Sequence, residues 1–148
     1  MKSSTVSHQQ RMFRFLILFL WLIALHSFIV GLFLILFPPG LLNRFGFEVT
    51  EKFFPTQAGV FHLVMAAIYI FAVRRIKRCV DLVQLSIFIK FLAAIFLFSY
   101  YFFIESIALV ILSGAGDLLM GIILLILFIR SGLSQNNNVE GNSRAIHQ

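Results

Sequence analysis

Four ionisable side chains stand inside long apolar runs of this sequence: His26, His62, Lys90 and Asp117. An ammonium, a carboxylate and two imidazoles are the groups from which proton relays and polar ligand sites inside membranes are assembled. Each charge is expensive there, since an Asp or Lys at the centre of a membrane helix costs roughly 2.5–3.5 kcal/mol on insertion scales. Lysine can snorkel its ammonium toward the interface. Aspartate is too short for that, so Asp117 has to be paired, protonated or facing water. The stretch "SGAGDLLMG" surrounds it with small residues at helical spacing: Gly114 lies three before it, and Ser113 and Gly121 lie four to either side. Residues three and four apart share a helix face, and small ones let a neighbouring helix bring its donors close.

Matching stripes exist elsewhere in the chain. Ser86, Lys90, Ala93 or Ala94, and Leu97 form one; Ala58, Gly59, His62, Ala66 and Tyr69 form another; and His26, with Gly31 nearby, is the polar point of a third. Two readings of Lys90 and Asp117 stay open. They are either glue between two helices or, with His62 and His26, the lining of a cavity, with Ser113, Ser86, Tyr69, Gly114 and Gly121 in support. Tyr69 also reads as an interfacial anchor, together with Tyr100 or Tyr101, because tyrosine favours the membrane–water boundary.

Much other chemistry is excluded. There is no nucleophile elbow, phosphate loop or H-E-x-x-H pattern. Cys79 is the only cysteine, which rules out an intramolecular disulfide and a cysteine-based zinc site. One mid-span Asp and two His without an E-x-x-H supply too few ligands for a di-metal carboxylate centre, so no metal is expected. His26 and His62 fall at different depths, which disfavours haem held between them. Independent catalysis is not expected.

The elements that carry these groups follow from composition. Of 148 residues, 60% are hydrophobic and only 12% charged, and the mean hydropathy is +0.97; soluble domains run nearer half apolar and a quarter charged. Apolar runs cover about 13–37, 55–73, 82–102 and 106–129, each able to cross a core of about 30 Å as a helix of roughly 20 residues. An open sheet there would leave backbone groups unpaired in lipid. The expected fold is an all-α integral-membrane four-helix bundle, antiparallel and up-down-up-down. Pro38, Pro39 and Gly40 stop the first helix, Pro55 suits the first turn of the second, and a tight turn near 103–105 joins the last two. Residues 1–12 read as a polar tail, and 131–148, including "SQNNNVEGNSR", as a disordered one with too little apolar surface to fold alone.

The net charge of +6 does not point to nucleic acid, because the cations flank the apolar runs. Lys2, Arg11, Arg14, Arg74, Arg75, Lys77, Arg78, Arg130 and Arg144 fall on one side; Arg44 and Lys52 fall on the other and are offset by Glu48, Glu51 and Glu105. The positive-inside rule then places both termini of a multi-pass membrane protein in the cytoplasm. The first run is too long for a signal-peptide h-region and ends in "FPPG" rather than a cleavage site.

From about 13 to 130 the layout resembles the DoxX-like superfamily of small bacterial four-span membrane proteins. The resemblance is carried by "LILFPPGLL", by "QAGVFHLVMAAIYIF", by the basic inner loop, and by the acidic residue among glycines in "GAGDLLMG". It implies a four-helix bundle and favours a quinone-linked redox role over transport, and it transfers no catalytic residues. The expected function is binding of a lipophilic molecule with a polar head, of quinone or isoprenoid type, as a redox-associated or accessory subunit. The expected partners are membrane lipids and a homo-oligomer or larger membrane complex. The alternatives are a proton-coupled small transporter, which with four helices would need an oligomer, and a structural or assembly subunit without a ligand.

Overall fold

No proline or glycine precedes Gly31 in the chain, so nothing local halts a helix once it has started. In the computed structural model, which describes residues 2–48 and 51–133, α1 accordingly runs from Lys2 to Leu36. The stretch expected as a polar N-terminal tail is thus already helical, and the apolar part able to cross a membrane begins at His8. After α1 come α2 (Pro39–Asn43), α3 (Phe53–Arg74), α4 (Val80–Phe103) and α5 (Ala108–Arg130). Long enough and apolar enough to span are His8–Leu36, Phe53–Arg74, Val80–Phe103 and Ala108–Arg130. The chain is an all-α, multi-pass membrane protein built as a four-helix bundle.

The breaks have local causes. Pro38 is extended (φ −72°, ψ 150°) and Pro39 opens the single turn of α2, so the loop expected after the first span contains a short helix. Gly46 turns the chain at φ +92°, a region that residues with a Cβ rarely enter. Pro55 sits in the first turn of α3, where its missing N–H leaves no hydrogen bond unmade. Between α3 and α4 the turn is tied by Arg78 N–H and Cys79 N–H, each donating to the Arg75 carbonyl at 2.8 Å. Gly132, at φ +74°, ends α5 in the usual left-handed manner. Leu133 then folds back into the core at 8% exposure, so the first residues of the expected C-terminal tail are packed. The rest of that tail, 134–148, lies outside the described residues.

The spans close a ring in the order α1, α3, α4, α5, with α1 on α3 and α4 on α5 the most extensive contacts. At the end marked by the α3–α4 turn the interior is dry: Leu16, Leu20, Ile23, Tyr69, Ala72, Ile76, Val83, Ile87, Leu124 and Phe128 form one buried cluster. Toward the other end the helices approach through small residues instead. A Cβ on Gly31 would stand 2.9 Å from the Gly59 carbonyl oxygen, and one on Gly59 would stand 2.7 Å from that of Gly31. Helix backbones meet here directly, the device by which membrane helices gain dispersion contact without a hydrophobic drive. No span buries more than 33% of its apolar window inside the bundle, so Phe15, Trp21, Phe61, Phe71, Phe88, Ile95 and their like meet lipid.

Candidate functional site

The four-residue connection 104–107 makes α4 and α5 antiparallel neighbours, and the length of the lysine side chain covers what difference in level remains. Lys90 Nζ donates to Asp117 Oδ1 at 2.5 Å, with the two side chains 5% and 16% exposed. It is the one ion pair among the described residues. The same ammonium lies 5.8 Å from the centroid of the Tyr69 ring on α3, within the range in which an aromatic face attracts a cation. Tyr69 is 1% exposed. The reading of this residue as an interfacial anchor is therefore corrected: it is a wall of the site, drawn inward because its ring completes the dry cluster. Tyr100 and Tyr101 are the tyrosines at a helix end, and Tyr100 donates to Glu105 Oε2 at 3.4 Å.

The glycines of "SGAGDLLMG" set how close α4 comes. A Cβ on Gly121 would lie 3.3 Å from the Lys90 Cβ, and one on Gly114 would lie 3.2 Å from the Leu97 Cβ. The stem of Lys90 thus passes over Gly121 before its ammonium reaches Asp117. Ser113, expected on the same face, is exposed. The buried seam of α5 is Val110, Gly114, Gly121, Leu124 and Phe128; Asp117 stands at its edge, and one further step of four carries Ser113 past that edge at about 3.6 residues per turn. Ser86 is fully buried but donates to the Leu82 carbonyl of its own helix at 2.7 Å. That satisfies the hydroxyl locally, and it does not reach the pair.

The histidines occupy the outer side of the site. His62 on α3 is half-buried, while His26 on α1 is exposed. The inward polar position of α1 belongs to Ser27, at 2% exposure, in line with Leu16, Leu20, Ile23 and Gly31. His26 is one residue, hence roughly 100°, round the helix from it. Both imidazoles nonetheless lie in the electrostatic field of Lys90 and Asp117. Polar groups therefore pass from sealed to open in the order Lys90 and Tyr69, Asp117 and His62, then His26 at the bundle surface.

Among the described residues no sealed polar side-chain atom lacks a partner. Among the described residues no group of three or more His, Cys, Asp and Glu is placed to hold a metal ion. What remains is a site of hydrogen-bond donors and one carboxylate, able to grip a polar head and exchange a proton with it. No protein-family profile, no curated protein and no solved structure matches this chain.

Proposed function

We propose that this chain is a protein of the bacterial plasma membrane, with both termini in the cytoplasm, that binds a lipophilic molecule bearing a polar head. The quinone and isoprenoid classes suit it best, and the role is that of a redox-associated or accessory subunit without independent catalysis. The observation that carries the reading is the graded opening of the polar cluster. A pair that only glued α4 to α5 would need neither the half-buried His62 nor the exposed His26 on the neighbouring helices. A few convergent polar groups in apolar walls are the usual anatomy of a small-molecule site. Imidazole N–H and phenol O–H suit a carbonyl head, and the second carboxylate oxygen of Asp117 suits a hydroxyl. The resemblance to the DoxX-like superfamily, resting on the sequence features above, favours the quinone class.

Native mass spectrometry of the gently purified protein, with an absorption spectrum of the same sample, tests this. The expected result is a stoichiometric adduct with a quinone spectrum or an isoprenoid mass. It is lost in both Tyr69→Phe and His62→Gln, each of which leaves the ion pair and the thermal stability in place. An apo mass for the wild type, or an adduct that both substitutions leave untouched, would overturn the proposal and leave Lys90 and Asp117 as glue.

A further inference from the structure

The end of the bundle opposite the Gly31–Gly59 crossing carries a second feature, independent of the mid-span site. Arg74, Arg75, Lys77 and Arg78 crowd the turn between α3 and α4, all exposed and none in an ion pair among the described residues. The turn is held in one shape by its backbone hydrogen bonds and by Ile76, 6% exposed, which pins it into the dry core between the two pairs of cations. With Phe13 and Ile17 of α1 it borders an open hollow of about 470 Å³, lined by Arg74, Arg75, Ile76, Lys77 and Arg78. That is within the range of about 300–1,000 Å³ typical of small-molecule sites. Lys77 Nζ is held 5.9 Å from the Phe13 ring centroid, which aims its charge over the apolar floor.

We propose that this hollow binds the phosphate of an anionic phospholipid. Charge complementarity selects an anion, and guanidinium groups suit phosphate through paired N–H donors. The apolar floor and the position at the end of the spans select a lipid over a soluble anion: one turn beyond Ile17 on the same helix face stands the exposed Trp21, along which acyl chains would lie. The nearest carboxylate in sequence is Asp81, in the first turn of α4, and it neutralises none of the four by an ion pair. A topology signal needs cations near the span ends but places no demand on their convergence over a hollow.

The distinction is testable with the full chain in detergent, titrated with short-chain phosphatidylglycerol or phosphatidylcholine of equal acyl length and read by native mass spectrometry. One phosphatidylglycerol should bind per chain, saturably, at least about tenfold more tightly than phosphatidylcholine. Arg75→Gln with Arg78→Gln should abolish that preference. Arg11→Gln with Arg130→Gln removes the same charge from the same end and should preserve it. Equal weakening in both double variants would reduce the effect to diffuse attraction and overturn the proposal. So would saturation of the hollow by inorganic phosphate that excludes the lipid, since the ligand would then be a free anion.

Discussion

Replacing Lys90 by leucine is expected to lower the unfolding free energy of the bundle by about 3–5 kcal/mol, and Asp117→Leu by a similar amount. Each single change strands the other charge in a place that is 5% or 16% exposed, with no second ion-pair partner among the described residues. The double variant, Lys90→Leu with Asp117→Leu, should return to within about 1 kcal/mol of the wild type. Replacing a buried pair by apolar residues is commonly neutral or better, because two desolvation costs vanish together with the attraction. Reversible unfolding in mixed micelles, run as a double-mutant cycle, measures the coupling directly. Strictly additive losses would mean that the two charges do not depend on each other. The same cycle separates glue from site: if the stable double variant still retains its amphiphile, the pair serves packing alone.

At the α1–α3 crossing, Gly59→Ala should cost about 1–3 kcal/mol and Gly59→Val more, as is usual when a packed interior is overfilled. The new Cβ would meet the Gly31 carbonyl oxygen and Ile35 Cγ1, both at 2.7 Å. A carbonyl in a helix cannot swing aside as the end of a side chain can, so relief requires α1 and α3 to part. Those helices carry His26 and His62, and parting them would loosen the outer half of the site along with the bundle. Gly116→Ala is the matched control. Nothing lies within 4 Å of its added Cβ, so the change should be neutral or should gain up to about 1 kcal/mol of helix propensity. Thermal unfolding of the three variants in one detergent checks the contrast; equal effects at Gly59 and Gly116 would show that the crossing is not tight.

Some of this architecture is legible in the residues themselves because its causes are local or one-dimensional. Hydropathy marks the spans, since the bilayer demands about 20 apolar residues in a row, and Pro38, Pro39 and Pro55 mark where helices stop and start. The partnership of Lys90 with Asp117 also follows from the sequence, because two costly charges on helices joined by a tight turn have a strong reason to meet. Which side of each helix faces inward is another matter. In a soluble bundle polar and apolar faces differ; here α1 is apolar all round, and lipid tails solvate Leu as well as the protein interior does. No sequence contrast separates His26 from Ser27, and only the fit of α1 against α3 at Gly31 turns Ser27 inward and His26 out. Tyr69 was equally ambiguous between the membrane surface and the core until α4 placed Lys90 against its ring. Distances within one helix decide which residues share a face, but only the neighbouring helix decides which face is the inside.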